Sequence, residues 1–134
     1  MAAGQDNNFQ NGRNLMQFVG SVARTDTSAK TLFTLPANCI PLKISYSSTA
    51  PSNAGTTATL SVGISGVSAT ALLAATDIKT AGTGGGAQNP TASASTYYGT
   101  PLAAAAVVTG TYAETGGASS SGGPWIVVID ALVV

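Results

Sequence analysis

The last twelve residues of the chain read Gly123-Pro124-Trp125-Ile126-Val127-Val128-Ile129-Asp130-Ala131-Leu132-Val133-Val134. The stretch is almost continuously apolar and rich in β-branched residues, which favours a β-strand. A period of two places on one face Trp125, Val127, Ile129, Ala131 and Val133, and on the other Ile126, Val128, Asp130, Leu132 and Val134. A strand that is apolar on both faces belongs inside a sandwich or at an interface. Because the apolar run continues to the last residue of the sequence, we expect the chain end to be part of this strand.

Shorter apolar segments precede it. Alternation and turn residues predict further strands over residues 15–23, 30–35, 40–46, 57–64, 76–80, 97–102 and 105–112. We expect Leu60, Val62 and Ile64 to point inward in one of them, and Leu42, Ile44 and Tyr46 to share a face in another. Only residues 69–75 have helical propensity, enough for one or two turns. The pattern predicts an all-β, jelly-roll-like β-sandwich of about eight antiparallel strands with at most a short helical turn.

Two domain-level features flank and interrupt these strands. Residues 1–14 are polar and rich in Asn and Gln, with one aromatic residue, Phe9, and we interpret them as an extended N-terminal arm. Residues 15–134 then form a single β-sandwich domain, a size that suits one core. A Gly-rich segment, residues 81–95, is expected to be a long loop.

Composition excludes several classes of partner. The chain is 44% hydrophobic but only 7% charged, with five basic and five acidic residues. Five scattered basic residues form no patch for nucleic acid. The apolar runs are shorter than the roughly 20 residues of a membrane span, and the first residues lack a signal-peptide pattern. A neutral surface of small residues favours packing against other subunits over free diffusion.

The sequence offers little for catalysis. It contains no histidine and one cysteine, Cys39, which removes the commonest general base and any standard zinc set. Glycines 82–86 lack the Lys-Ser/Thr of a phosphate-binding loop. Among the five acidic residues, Asp130 is notable because it interrupts an apolar face, where an interface or edge role competes with that of a shifted carboxylate in a cleft. We predict no catalytic residue, no cofactor and no metal ligand.

Aromatic residues give the remaining candidates for contact. Trp125 and the tyrosines, Tyr97 and Tyr98 among them, suit either a sugar-binding platform or anchors in a core or interface, and the second role is commoner for aromatics at strand ends.

Three stretches resemble the small capsid decoration, or cement, proteins of tailed bacteriophages. They are Leu32-Phe33-Thr34-Leu35-Pro36-Ala37 leading into Ile40, Thr56-Thr57-Ala58-Thr59-Leu60-Ser61-Val62-Gly63, and Gly110-Thr111-Tyr112-Ala113-Glu114-Thr115-Gly116 followed by Gly122-Gly123-Pro124-Trp125-Ile126-Val127-Val128. Each is a soft pattern of strands and turns. The resemblance implies a jelly-roll or related β fold, no enzymatic activity, and a homo-oligomer, with a trimer favoured.

The same resemblance implies a position on the outer capsid surface, at joints between major capsid proteins, after a period in the host cytoplasm during assembly. The major capsid protein is then the partner, and we expect contacts from Phe9, Arg13, Tyr97, Tyr98 and Trp125. Two alternatives remain at this point: a tail, neck or fibre accessory protein of a phage, and a carbohydrate-binding β-sandwich module.

Overall fold

The computed structural model describes residues 14–79, 86–88, 96–117 and 121–133, the short middle segment by its backbone alone. Within these residues the chain forms eight strands and no helix. In chain order they are β1 (Asn14–Val22), β2 (Lys30–Leu35), β3 (Ile40–Ser48), β4 (Thr57–Ile64), β5 (Ser68–Asp77), β6 (Gly86–Gln88), β7 (Ala106–Thr115) and β8 (Trp125–Val133).

The strands form two four-stranded antiparallel sheets, in the orders β1-β8-β3-β6 and β2-β7-β4-β5. The pairs β1 with β8, β2 with β7, β3 with β6 and β4 with β5 are nested within one another, as in a long hairpin that folds back at the β4–β5 turn. Pairing of β3 with β8 and of β4 with β7 completes the two sheets. This wrapped hairpin is a jelly roll, so the predicted fold class is confirmed.

The core lies between the two sheets. Its side chains come from the inward positions of both sheets and from loops at the two ends. The largest that are fully buried are Val22, Leu35, Ile44, Leu60, Val62, Leu72, Ile78, Val108, Tyr112, Trp125, Val127 and Ile129. The inward prediction for Leu60, Val62 and Ile64 is confirmed. At roughly 1.5–3 kcal/mol for each large side chain, this burial is the main favourable contribution to folding.

The predicted helix over residues 69–75 is wrong, because this segment lies inside β5. It pairs with β4 and buries Leu72 and Leu73, although four of its seven residues are alanine. A helix of one or two turns is marginal in water, so pairing and burial outweigh helix propensity. The strand predicted over residues 76–80 is wrong as a separate element, because Thr76 and Asp77 end β5.

The strand predicted over residues 97–102 is also wrong. Residues 96–100 form turns, and Gly99 has φ +79°, outside the extended region. The eighth strand is instead β6, within the segment expected to be a loop. In β3 the shared face of Ile44 and Tyr46 is confirmed, but Leu42 is 43% exposed, because a bulge between Pro41 and Lys43 shifts the alternation.

The expected arm, residues 1–14, lies almost wholly outside the described residues, and β1 begins at Asn14. The loops of each sandwich end contact one another. At one end the backbone of the β2–β3 loop exchanges hydrogen bonds with Leu102. At the other end, the backbone N–H of Ser52 donates to the carbonyl of Ile78, and the backbone N–H of Gly123 donates to the carbonyl of Ala50. The two ends are therefore fixed to the sandwich by backbone pairing.

Candidate assembly interface

The closing strand β8 lies between β1 and β3, and its two faces differ in surroundings. Trp125, Val127, Ile129 and Ala131 are fully buried between the sheets. The alternate residues point away from the other sheet and are half-buried. An antiparallel sheet with one solvated face normally carries polar residues there. The four outward residues of β8 are Ile126, Val128, Asp130 and Leu132. Three of them are apolar, so this face is apolar apart from Asp130.

Neighbouring strands extend this apolar surface. In the register of β1 with β8, Leu15 lies opposite Leu132 and Val19 opposite Val128. Side chains directly opposite in a sheet share a face. Leu15 is 66% exposed and Val19 is 56% exposed. We call this surface the outer apolar face, and it comprises Leu15, Gln17, Val19, Ser21, Ile40, Lys43, Ser45, Ser47, Ile126, Val128, Asp130 and Leu132.

One ion pair interrupts the outer apolar face. Lys43 lies opposite Asp130 in the register of β3 with β8, and its Nζ atom is 3.5 Å from Oδ2 of Asp130. The Lys43 side chain is 61% exposed, whereas that of Asp130 is 14% exposed. The second oxygen, Oδ1 of Asp130, is buried and has no hydrogen-bond partner among the described residues. A carboxylate oxygen buried without a donor is costly, and the fold of the single chain already carries this cost, because Oδ1 is covered there.

Trp125 does not lie on a surface. Its ring is 0% exposed and stacks on Tyr112, with 5.2 Å between the ring centroids. As the chain is folded, the ring offers no area to a sugar or to a protein partner. The alternation of β8 correctly grouped Trp125 with Val127, Ile129 and Ala131 on one face. It did not show that this face, and not the other apolar face, points into the core.

Tyr97 and Tyr98 lie together in the turns before β7, and both are half-buried. The hydroxyl of Tyr98 donates a hydrogen bond to the carbonyl of Leu72, 2.8 Å away, and burial raises the pKa of Tyr98. Tyr97 lines a hollow of about 450 Å³ with Pro101 and Leu102. Phe9 and Arg13 lie outside the described residues. Contact of these four residues with a partner stays a prediction.

A polar network that the sequence did not indicate joins two loops and one strand at one end of the sandwich. The loops are β1–β2 and β3–β4, and the strand is β7. Arg24 binds both carboxylate oxygens of Glu114, at 2.8 Å through Nη2. The Tyr112 hydroxyl donates to Oε2 of Glu114 at 2.8 Å, and lies 2.7 Å from Oγ of Ser52. Because Tyr112 has one hydroxyl proton, which the carboxylate receives, Ser52 must donate to Tyr112. No local pattern connects residues separated by up to 90 positions.

The other described carboxylates also have structural partners. Asp26 accepts a hydrogen bond from the backbone of Ala23 at 2.7 Å, and its pKa is lowered mainly for that reason. Asp77 accepts one from the backbone of Lys79 at 2.8 Å. Within the described ranges, no three acidic or cysteine side chains are grouped closely enough to hold a metal ion. In the same ranges, no helix of the length and hydropathy of a membrane span is found. The outer apolar face is therefore the best candidate for a functional site.

Comparisons with solved structures return capsids. The chain is similar to a chain of the cyanophage Pam1 capsid asymmetric unit, with 28% identity, a TM-score of 0.69, and coverage of 91% of this chain and 86% of that one. It also matches a chain in the capsid of Ralstonia phage GP4, at 21% identity and TM-score 0.59, covering 90% and 83%. A third match is to the acidic stable capsid structure of Helicobacter pylori bacteriophage KHP30, at 12% identity and TM-score 0.57, covering 90% of each chain.

The last two likenesses concern the fold alone, whereas the first extends to the sequence. No protein-family model and no curated protein matches the chain. The resemblance to phage capsid proteins that the sequence suggested is confirmed at the level of a capsid-related protein.

Proposed function

We propose that this chain is a structural protein of a bacteriophage virion, which binds the outer capsid surface at joints between major capsid proteins and stabilises the shell. The observation that carries the proposal is the likeness of almost the whole jelly roll to a chain of a phage capsid, in sequence as well as in fold. The protein acts by binding and performs no chemistry. It reaches the virion from the host cytoplasm, where the particle is assembled.

The surface of the molecule supports such a role. The formal net charge is zero, so copies of the chain do not repel one another or a neighbouring shell protein. The outer apolar face exposes Leu15 and Val19 beside the half-buried Ile126, Val128 and Leu132, and an apolar surface of this kind suits contact with another subunit. A homo-oligomer, which we propose to be a trimer, then engages several capsid sites together and gains avidity from weak single contacts.

The arm supplies the capsid contact in this proposal. Residues 1–13 precede β1, whose first residue pairs with Val133 at the edge of the sheet. A chain of this length spans up to roughly 43 Å when extended, enough to cross a seam and add a strand to a neighbouring sheet. Phe9 and Arg13 in the arm, with Tyr97 and Tyr98 on the body, are the proposed contacts with the major capsid protein.

Shells assembled without this chain provide the test. The purified chain is mixed with them, bound protein is separated on a sucrose gradient, and the thermal dissociation of the shell is followed by light scattering. We expect binding in many copies per shell and a higher dissociation temperature. A chain that stays at the top of the gradient contradicts the proposal, and attachment of only a few copies at one vertex favours a tail or neck protein.

Deleting residues 1–13 isolates the role of the arm. We expect shell binding to be lost while the free energy of unfolding is unchanged, because every residue of β1 is kept. Phe9→Ala with Arg13→Ala in the full-length chain is the matched variant, and should weaken binding in the same assay. Undiminished binding by the deleted chain removes the arm from the proposal without affecting the virion role of the body.

A further inference from the structure

We propose that the outer apolar face binds the same face of a second copy of this chain, across a two-fold axis, with Lys43 of each copy paired to Asp130 of the other. The inference deepens the proposed function by naming the occupant of this face, and for its biological setting it rests on that function. Its test uses the purified chain without shells, so the two proposals fail separately.

The first argument is the incomplete pairing of Lys43 with Asp130. The Oδ1 atom of Asp130 is buried without a partner among the described residues, while Oδ2 is 3.5 Å from Lys43. An ammonium group carries three donors, and a single contact at this distance leaves Lys43 with donors to spare. Lys43 is also 61% exposed, so it can reach beyond its own chain. A second Lys43 placed over the face can approach Oδ2, the carboxylate oxygen that Lys43 of the same chain contacts, whereas Oδ1 is closed off by the chain's own fold.

The second argument is that the face is self-complementary in charge. It carries one positive and one negative group, side by side in the register of β3 with β8. Asp130 is the sixth of the nine residues of β8, near the middle of the strand. A two-fold axis in the contact plane beside Asp130 therefore places each lysine against the opposite carboxylate. An isologous contact needs such a self-complementary patch.

The third argument concerns area. Three strands spaced about 4.8 Å apart and nine residues long present a face of roughly 14 by 30 Å, or about 400 Å². That area, which includes the polar residues of the face, is within the range of the largest patch on a typical monomer and about half of what each partner buries in a standard interface. The contact by itself should therefore give a weak, concentration-dependent association. On a shell, where neighbouring copies are held close together, the same contact is reinforced by multivalency.

Sedimentation velocity of the purified chain over about a hundredfold range of concentration provides the measurement, with Val19→Glu as the disrupting variant. Val19 is 56% exposed at the centre of β1 on the outer apolar face. Val67→Glu is the matched control, because Val67 is 61% exposed but lies in the β4–β5 turn on the other sheet. We expect Val19→Glu to halve the mass of the largest wild-type species, and Val67→Glu to leave it unchanged.

The mass is halved when a dimer dissociates into monomers, and it is also halved when a pair of trimers joined by this face separates into single trimers. A wild-type chain that remains monomeric at the highest concentration overturns the proposal. So does a mass that Val19→Glu leaves unchanged or reduces to a third. Circular dichroism and thermal melting of each variant show whether the fold is kept. If Val19→Glu fails to fold, the charge variants described next decide the question.

Charge exchange tests the pairing itself. Lys43→Glu makes the ionic centre of the face wholly negative, and Asp130→Lys makes it wholly positive. We expect each variant alone to lose self-association, and an equimolar mixture of the two to regain it as a mixed pair. A mixture that sediments like its separate components, with both folds intact, overturns the reciprocal arrangement.

Discussion

The buried hydroxyl of Tyr112 should be the most costly single polar group to remove from this sandwich. It receives a hydrogen bond from Ser52, at 2.7 Å, and donates one to Glu114, at 2.8 Å. Both Tyr112 and Ser52 are buried, at 0% and 2% exposure. Tyr112→Phe keeps the ring and its stacking on Trp125 while it removes both hydrogen bonds.

The magnitude follows from what each neighbour loses. A hydrogen bond to a charged acceptor contributes about 1.5–3 kcal/mol, and a buried donor left unpaired costs about 1–3 kcal/mol. Glu114 keeps its bonds to Arg24 and is partly exposed, so water replaces part of what it loses. Ser52 is in a drier position and retains only the bond from the backbone of Ala54. The two losses share one hydroxyl, and we expect about 2–3 kcal/mol in total.

Urea unfolding followed by the fluorescence of Trp125, the single tryptophan, measures this cost. Tyr46→Phe is the matched control, since Tyr46 is 4% exposed and its pKa is raised by burial and, among the described residues, by the Asp77 carboxylate, which acts on it through charge alone. We expect less than about 0.5 kcal/mol for the control. All variants are compared at one protein concentration, because self-association adds to apparent stability.

A double-mutant cycle with Ser52→Ala tests the network directly. If Ser52 donates to Tyr112, the two substitutions remove the same bond, and the double variant should be less destabilised than the sum by about 0.5 kcal/mol or more. A cost below about 0.5 kcal/mol for Tyr112→Phe, or strict additivity in the cycle, refutes the reasoning.

Three further predictions follow from single sites. The hydrogen bond from the backbone of Ala23 lowers the pKa of Asp26 in the folded chain below its usual value of 3.8. The ionised Asp26 carboxylate therefore stabilises the fold above pH 3.8, and this stabilisation is lost as the pH falls toward the lower pKa of the folded chain. Asp26→Asn should therefore flatten the decline of melting temperature below about pH 4 in calorimetry, and a decline parallel to that of the wild type contradicts this. Burial raises the pKa of the Cys39 thiol, which is 0% exposed, so a thiol reagent should label it only after unfolding in urea; rapid labelling of the native chain would be the contrary result. Gly63→Ala should lower the free energy of unfolding in urea by about 3 kcal/mol or more, because the added methyl group would overlap the backbone of β5. Gly66→Ala should lower it by about 1–2 kcal/mol, because Gly66 has φ +80° but no atom near its Cβ position. Equal costs for the two variants would show that the backbone of β5 moves away to accommodate the methyl group.

The strand pattern could be predicted from the sequence where alternation is regular and turns are marked. The strands predicted over residues 30–35 and 57–64 agree with the bounds of β2 and β4. In these segments the local pattern and the tertiary environment favour the same structure. The jelly roll itself was inferred from strand number and unequal loops, whereas the nested pairing that defines it depends on contacts between distant residues.

The errors occur where the local signal is weak or opposes the tertiary environment. Residues 69–75 are rich in alanine, and only the pairing of β5 with β4 makes them a strand. The three-residue strand β6 is too short for any periodicity to appear. Leu42 follows the alternation of its neighbours in sequence, but the bulge in β3, which depends on pairing with β8, turns it outward. None of these features has a cause within its own segment.

The candidate face shows the same division. The two apolar faces of the last strand predicted a place inside a sandwich or at an interface, and the pattern left these two alternatives open. The sequence also singled out Asp130 as an interruption of that strand. It could not identify Lys43 as the neighbour of Asp130, since the bulge in β3 sets the register that joins them.

The ion pair of Lys43 with Asp130 restricts the ways in which the outer apolar face can be covered by a partner. Apolar side chains alone would tolerate many relative rotations and shifts of two sheets, since each buries a similar area. A half-buried carboxylate restricts this freedom, because an arrangement that covers Asp130 and displaces Lys43 without supplying another cation leaves a buried unpaired charge. The pair therefore adds little affinity of its own, as desolvation offsets much of the attraction. Its effect is on specificity: of the ways in which the outer apolar face can be covered, it favours those that present a cation to Asp130.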